Sequence, residues 1–224
     1  MLWRLIMKKA MSSILIIIGV LLVASPFINN LIIYKNLETS RKVTYEISKE
    51  QIAENNEKQS EYNYDEIQDT EIVSTIKSAF SDWELSEKII GQIVIKDLDI
   101  DLPILKGITH SNMLMGAGTM KPDLVMGDGN YTLSSHYSRS GNLFGKLLEI
   151  ENGTIVKITD KETIYEYMIY DTQIVSDTAL YMLDSDRVGK RGKPILSLMT
   201  CYYTSKNGNR FFALGELVNQ YPYE

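Results

Sequence analysis

The sequence predicts a mainly β fold, a closed or nearly closed β-barrel of about seven to eight strands with short helices. Two observations predict it. From about Ile89 onward, short runs of β-branched, aromatic and other apolar residues are separated by turns of Gly, Asn, Asp and Pro. Ahead of these runs, a long apolar stretch at the N-terminus predicts a helix outside the barrel. Many short strands with few helices indicate a barrel rather than an alternating βαβ sheet.

The N-terminal stretch is long enough to cross a membrane. As an α-helix, Ser12 to Ile33 would cover about 33 Å at about 1.5 Å per residue, against a bilayer core of about 30 Å. A cleaved signal peptide is the competing interpretation, but Pro26 directly follows the small pair Ala24-Ser25, and we expect it to hinder cleavage. Basic residues precede the stretch, so the positive-inside rule predicts that the body lies outside. We therefore predict that residues 1–34 are a cytoplasmic tip and a transmembrane signal-anchor.

Residues 35–85 are predicted to be a helical or flexible spacer. Between Tyr45 and Ile72 the chain has nine acidic residues, two lysines and few large apolar residues. Such a segment cannot fill a core of its own, and its acidity is typical of a solvated face rather than of a binding site. Within it, a second short helix is predicted from Asp69 to Phe80.

Residues 86–224 are predicted to form the barrel domain. Helical turns are expected at Ser111–Met115 and Leu143–Leu148. The predicted strands are Ile89–Ile95, Leu102–Lys106, Tyr131–Ser135, Thr154–Thr159, Ile164–Val175, Pro194–Thr200 and Arg210–Leu217.

Charge and cysteine usage exclude several classes of function. The net charge is −6, and no Lys/Arg-rich block follows the N-terminal tip, so the chain offers no electrostatic footprint for nucleic acid. The single cysteine, Cys201, permits no intramolecular disulfide and no Cys-x-x-Cys pair. Any chemistry of Cys201 is that of a lone thiol, and a small buried hydrophobic residue is the alternative interpretation.

Three polar residues are predicted to meet at one end of the sheet. Cys201 closes one predicted strand, and Arg210 opens the next, so a short connection would place them together. A guanidinium favours the thiolate and donates hydrogen bonds to an oxyanion. Of the two histidines, His136 ends a predicted strand, whereas His110 lies in a loop that enters a short helix. A lone strand-end histidine is more often structural, but its position relative to Cys201 and Arg210 favours a catalytic role.

Two motifs then resemble a known family. Ser197-Leu-Met-Thr-Cys201, with an arginine on the next strand, resembles the sortase signature Thr-Leu-x-Thr-Cys, with Ser in place of the first Thr. The stretch from Gly116 to His136 is similar to the segment that leads to the catalytic histidine in class A sortases, and Leu102-Pro-Ile104 also matches. The resemblance covers about Ile89 to Leu217. Tyr202 departs from the acidic or small polar residues frequent after the cysteine in class A, which leaves the subclass open.

The resemblance implies a membrane-anchored, extracellular cysteine transpeptidase of a Gram-positive cell with a sortase-type barrel. Its partners would be proteins with a Leu-Pro-x-Thr-Gly-like sorting signal, cleaved between Thr and Gly, and a cell-wall precursor amine of the lipid II type. Cys201 would be the nucleophile, His136 the proton-transfer group, Arg210 the oxyanion or backbone ligand, and Thr200 a substrate-binding residue. No cofactor is expected. We predict no metal site, because only Asp123 and Asp128 stand in the loop that some members use for calcium.

Three alternatives remain. A hydrolytic cysteine peptidase of another fold would use the same residue types, but papain-like enzymes place Cys before His, the reverse of the order here, and the caspase-type Gln-Ala-Cys signature is absent. A non-catalytic, membrane-anchored β-domain that binds wall components would require the His, Cys and Arg placement to be accidental. A pilin-polymerising sortase is the nearest rival within the family, although no long lid segment and no further C-terminal membrane span are visible in the sequence.

Overall fold

A computed structural model describes residues 2–67, 82–189 and 192–224. Its α-helices are α1 (Leu2–Glu46), α2 (Lys49–Glu57) and α3 (His110–Met115). Short 3₁₀ turns lie at Tyr64–Glu66, Asp82–Glu87, Lys96–Leu98, Gly145–Glu149, Leu180–Leu183 and Ser205–Asn207. The strands are β1 (Ile89–Ile95), β2 (Ile100–Leu105), β3 (Ala117–Thr119), β4 (Asn130–Ser134), β5 (Ile155–Thr159), β6 (Thr163–Ser176), β7 (Ile195–Cys201) and β8 (Asn209–Pro222).

The eight strands of the described part of the chain close into a barrel. Their order is β1-β2-β3-β4-β7-β8-β6-β5, and β5 returns to pair with β1. Two neighbouring pairs are parallel, β2 with β3 and β4 with β7. The second of these joins strands that are far apart in the sequence. It places the end of β4 beside the end of β7, where the sequence predicts a functional site.

Side chains that alternate along the strands fill the barrel. On β7, Leu196 and Leu198 are fully buried in the large core cluster together with Tyr131 of β4 and Tyr167 of β6. Met199 and Cys201 of β7 point to the opposite face, because successive side chains of a strand alternate between the two faces of a sheet. Met199 and Cys201 belong to a second apolar cluster on the outer face of the barrel wall.

The predicted elements are confirmed with small shifts of their ends. Each of the seven predicted strands is present, and the predicted turn at Ser111–Met115 is α3. The missed strand is β3, three residues with small side chains that show no β-type pattern of their own. It exists because it pairs with β2 on one side and β4 on the other. The predicted helix from Asp69 to Phe80 lies outside the described residues.

Helix α1 continues past the apolar stretch and packs on the barrel. It runs through Pro26, and its buried residues recur three or four positions apart on one face, namely Ile33, Asn36, Leu37, Ser40 and Thr44. Arg41 Nε donates to the carbonyl of Asp101 on β2 at 2.7 Å. This face therefore docks the end of α1 directly against β2.

Helix α2, inside the predicted spacer, also packs on the barrel. Ser48 caps it by accepting a hydrogen bond from the Gln51 amide. Ile52 is buried in a cluster with Ile89 and Leu105, and the Asn55 amide donates to the Ile89 carbonyl at 2.8 Å. An otherwise acidic helix thus contributes one apolar side chain and one buried amide to the barrel surface.

Candidate active site

Cys201 and Arg210 face each other across two neighbouring strands. Cys201 is the last residue of β7, and its Cα partner in the antiparallel register with β8 is Arg210. The loop between them is closed by a hydrogen bond from the Tyr202 amide to the Asn209 carbonyl at 3.2 Å. Gly208 turns the chain back at a φ of +66°, a conformation that favours glycine.

His136 lies on the other side of Cys201. In the parallel pair of β4 and β7, Ser134 stands opposite Met199, and the Ser135 amide donates to the Met199 carbonyl at 3.3 Å. Continuing this register by two residues brings His136 opposite Cys201. Since adjacent strands lie about 4.8 Å apart, His136, Cys201 and Arg210 form one row across three strands. We call this row the catalytic row, after the role that the sequence predicts for its three members.

Thr200 occupies a different face. It is fully buried, and its hydroxyl donates to the Ser135 carbonyl at 2.9 Å. This bond ties β7 to the residue that precedes His136, so the described contact of Thr200 aligns His136 with Cys201. A substrate contact of Thr200 stays a prediction.

The catalytic row lies on the outer face of the barrel wall and is nevertheless covered. The exposed fractions are 1% for His136, 2% for Cys201 and 9% for Arg210. The apolar cluster around the thiol contains side chains from α3, β7, β8, the β6–β7 loop and the segment before residue 68. Its members include Ile67, Met113, Met182, Leu183, Met199 and Phe212.

Residues 60–67, here called the covering segment, run along the loop after β2 and end at the catalytic row. The Asn63 amide donates to the Ile108 carbonyl, and the Ile108 amide donates to the Glu61 carbonyl, both at 2.9 Å. Gly107 has a φ of +89°, and a Cβ there would collide with Ser60. Ile67 is 6% exposed and packs in the same cluster as Cys201. The aromatic and apolar residues Tyr62, Tyr64 and Ile67 were the sequence signal for this ordered segment.

The guanidinium of Arg210 holds a backbone carbonyl beside the thiol. Its Nη2 donates to the Ile67 carbonyl at 3.3 Å, and its Nη1 donates to the Asn209 carbonyl at 3.2 Å. Asp177 Oδ2 lies 3.8 Å from Nη2 and balances part of the charge. The donor fork of Arg210 is therefore positioned to bind the oxygen of a peptide carbonyl.

A cavity of about 480 Å³ adjoins the catalytic row. This size lies in the usual range of ligand sites. Met199 and Phe212 are among its apolar lining residues, and Arg210 and the residues from Ser176 to Leu180 also line it. The cavity therefore offers both apolar surface and a carbonyl-binding guanidinium.

Two side chains that were not selected from the sequence hold one wall of this cavity. The Asn130 amide donates to the carbonyls of Met182 and Asp184, both at 3.0 Å, and accepts a hydrogen bond from Ser197 at 2.7 Å. Lys121 Nζ donates to the Leu183 carbonyl at 2.9 Å. Asn130 directly follows the predicted Gly127-Asp-Gly turn. Its partners Met182 and Asp184 lie more than fifty residues away, so no local sequence signal identified it.

The second histidine, His110, lies against His136. The ring centroids of His110 and His136 lie 4.6 Å apart, with the ring planes tilted by 60°. In the sequence, His136 ends a predicted strand and His110 lies in a loop that enters a short helix, and the fold brings their rings together. In the described part of the chain, no group of three His, Cys, Asp or Glu side chains is placed to hold a metal ion.

Comparisons with known proteins show the family of this chain. Residues 93–218 match the family model described as the sortase domain. The chain belongs to the sortase family. Sortase A of Listeria monocytogenes is 32% identical over 212 residues, which cover 94% of this chain and 91% of that protein. Sortase A of Bacillus anthracis is 28% identical over 206 residues, with 92% and 91% coverage.

Solved structures support the same family. The crystal structure of Listeria monocytogenes sortase A aligns with a TM-score of 0.57 and 32% identity, covering 61% of this chain and 92% of that one. Sortase C-3 of Streptococcus pneumoniae aligns with a TM-score of 0.60 at 16% identity over 84% of this chain and 93% of that one, which shows the shared fold alone. This sortase is a cysteine transpeptidase that acts on sorting motifs.

Proposed function

We propose that this sortase is a class A-like enzyme that cleaves a Leu-Pro-x-Thr-Gly-like sorting signal between Thr and Gly. It transfers the acyl group to a cell-wall precursor amine of the lipid II type. The observation that carries the proposal is the row of His136, Cys201 and Arg210, in which the Arg210 fork already holds a peptide carbonyl beside the thiol.

Each member of the row has one role in the proposed reaction. The Cys201 thiolate attacks the Thr carbonyl carbon of the sorting signal, and Arg210 binds the oxygen that becomes negative. As the C–N bond breaks, protonated His136 gives its proton to the departing Gly amine, which leaves a thioester on Cys201. The acceptor amine then attacks the thioester, His136 takes its proton, and the thiolate departs as the new amide forms.

The cavity beside the row supports a peptide substrate. Its apolar lining suits the Leu-Pro part of a sorting signal, and Arg210, which also lines it, suits the scissile carbonyl. In the proposed complex, the substrate carbonyl takes the place of the Ile67 carbonyl on Arg210. The covering segment therefore shifts away from the row when substrate enters. Thr200 contributes by keeping β7 aligned with the residue before His136.

The N-terminal helix supports a membrane location. The part of α1 from Met11 to Glu46 contains an 18-residue window with a mean hydropathy of 2.5 and no buried residues. We propose that residues 1–34 form a single-pass anchor, that 35–85 connect it to the barrel, and that 86–224 are the extracellular catalytic domain. A cleaved signal peptide would have the same composition. However, Ile33 and Leu37 of α1 are buried against the barrel, which favours a helix that stays attached.

Mass spectrometry of the intact protein tests the proposal. The full chain in detergent micelles is incubated with Leu-Pro-x-Thr-Gly peptides and a panel of glycine- or diaminopimelate-bearing amines. We expect a thioester adduct on Cys201 whose mass contains the peptide up to Thr, followed by a product joined to one of the amines. Cys201→Ala serves as the matched control and should form neither. Intact peptide and an unmodified thiol after long incubation would refute the proposal for this motif.

A pilin-polymerising sortase is the second candidate, because a segment covers the catalytic row. Such an enzyme would prefer a lysine side-chain amine on a protein as the acceptor. Adding a lysine-bearing peptide to the same panel separates the two candidates. Preferential transfer to lysine would replace the class A-like proposal.

A further inference from the structure

His110 contacts the proposed acid–base residue, although no step of the reaction uses it. Its ring centroid lies 4.6 Å from that of His136. The chain contains only these two histidines. They stand twenty-six positions apart in the sequence and belong to different elements, so the fold creates the contact.

Hydrogen bonds fix the first turn of α3, which carries His110. His110 is the first residue of α3, and Thr109 caps this helix by accepting a hydrogen bond from the Asn112 amide at 3.1 Å. The Asn112 side chain is 4% exposed and donates to the carbonyls of Lys106 and Gly107 at 3.0 and 3.1 Å. These bonds fix the start of α3 against the end of β2.

The backbone that carries His136 is bonded to the same helix. The hydroxyl of Ser135 makes hydrogen bonds to the carbonyls of Met113, at 3.2 Å, and Gly116, at 2.7 Å. One end of α3 thus holds the residue before His136, while its other end holds the ring that contacts His136. The two backbone segments that carry these imidazoles therefore cannot separate without breaking buried hydrogen bonds.

We propose that His110 is a positioning residue for this sortase: its ring packs against His136, restricts the rotation of that imidazole, and couples the protonation of the two rings. The inference rests on the proposed acid–base role of His136. An imidazole turns broadly about its last side-chain bond, so a neighbouring ring is needed to keep one nitrogen directed at the thiol side. Misplacement of a reacting group by about 1 Å can cost about a hundredfold in rate.

The coupling follows from the short distance between the rings. Two imidazolium ions at this separation repel, so the pair takes up its first proton more readily than its second. Interacting sites of this kind titrate in two separated steps that belong to the pair. His136 must both give and receive a proton, and the pair supplies one proton to the site without becoming doubly charged.

Other ionisable groups surround the pair and stay the same when His110 is replaced. Burial raises the pKa of Tyr62 and of Tyr64 on the covering segment, so both stay neutral. In the described part of the chain, other ionisable groups on the neighbouring elements include Asp65, Tyr137, Tyr170, Cys201, and Arg210 with Asp177 against it. A change in the titration of His136 on replacing His110 therefore reports on the contact between the rings.

Two variants of the full chain in detergent micelles test the inference. His110→Ala removes the ring, His110→Phe keeps a ring without a titrating nitrogen, and Ser111→Ala is the matched control on the same helical turn. Steady-state kcat and KM are measured from pH 5 to 9 with a Leu-Pro-x-Thr-Gly peptide and an accepting amine. The imidazole ¹⁵N signals are titrated in parallel, and they are simple to assign because only two histidines exist.

We expect His110→Ala to lower kcat by about ten- to a hundredfold with little change in KM, and His110→Phe to recover most of that loss. We expect the His136 signal to titrate in two steps in the wild type and in one step in both variants. An unchanged kcat in His110→Ala, or one identical His136 titration in all proteins, would overturn the inference. Failure of the proposed function is distinct, since the wild type would then form no thioester or His136→Ala would keep its activity.

Discussion

Replacing Arg210 by lysine tests the electrostatic part of the site. Arg210 donates to two carbonyls, those of Asn209 at 3.2 Å and Ile67 at 3.3 Å, from two different nitrogens. Lysine is a compact point charge and cannot reproduce this planar fork. Since losing one oxyanion donor costs about 10²–10³ in rate, or about 2.7–4 kcal/mol, we expect Arg210→Lys to reduce kcat/KM by this factor and Arg210→Ala to do no better.

The ion pair of Arg210 contributes little to folding, so losing it does not account for a rate loss of this size. The ion pair of Arg210 with Asp177 is 3.8 Å long, and the Asp177 side chain is 40% exposed, so its contribution to stability is about 0–1 kcal/mol. Urea unfolding of each variant checks this point. Arg139→Ala is the matched control, because Arg139 is exposed and lies three residues beyond His136.

The assay is transpeptidation of a Leu-Pro-x-Thr-Gly peptide, with kcat and KM determined separately for each variant. Arg139→Ala should behave as the wild type. Near-normal rates for both Arg210 variants, with the fold intact, would remove Arg210 from the site. A large loss in Arg139→Ala instead would move the role to that residue.

Three further outcomes are expected. Asn130→Ala should lower the free energy of unfolding by about 1–3 kcal/mol, because it leaves buried hydrogen-bond partners unpaired. It should also raise the KM for peptide more than it lowers kcat. A KM equal to that of the wild type would contradict the role of Asn130 in the cavity wall. A chain that begins at Tyr62 should still fold and turn over peptide, yet unfold at lower urea than one that begins at Lys35. It loses α2 with the buried Ile52 side chain and the docked end of α1 with the buried Leu37 side chain, each a contribution of about 1.5–3 kcal/mol. Equal midpoints would show that neither helix stabilises the barrel. The hydrogen bond from Lys157 lowers the pKa of Glu166 in the folded protein. The pair therefore stabilises the fold above the unfolded pKa of about 4.3, and this stabilisation is lost as the pH falls through the lowered pKa of the folded state. Glu166→Gln should flatten the loss of stability between pH 5 and 3, and acid unfolding identical to that of the wild type would contradict this prediction.

Local pattern was sufficient for most of the fold. Seven strands were predictable because each is a run of residues that suits an extended backbone, bounded by turn residues that interrupt it. The strand β3 was not predictable, because its Ala-Gly-Thr sequence has no preference strong enough to define a strand. Pairing with β2 and β4 holds it in place, and that pairing exists only in the closed barrel.

The predicted spacer, residues 35–85, shows a second limit of prediction from sequence. Its acidic composition predicts that it has no core of its own, and the structure places α2 and the covering segment against the barrel. A few apolar residues, among them Ile52 and Ile67, are enough when the surface they bury against already exists. Composition describes what a segment can do alone and says nothing about a surface formed elsewhere in the chain.

Sequence by itself determined the chemical groups available here: one thiol, two imidazoles, and an arginine that opens the strand after the thiol. Strand order and alternation also made the approach of Arg210 to Cys201 predictable, since a short connection between neighbouring strands allows little else. Only the tertiary structure decided that β4 lies parallel beside β7, that His110 contacts His136, and that Ile67 covers the row. These contacts join segments far apart in the chain. They form because closing the barrel buries the apolar faces of several strands together, which no single segment can do alone.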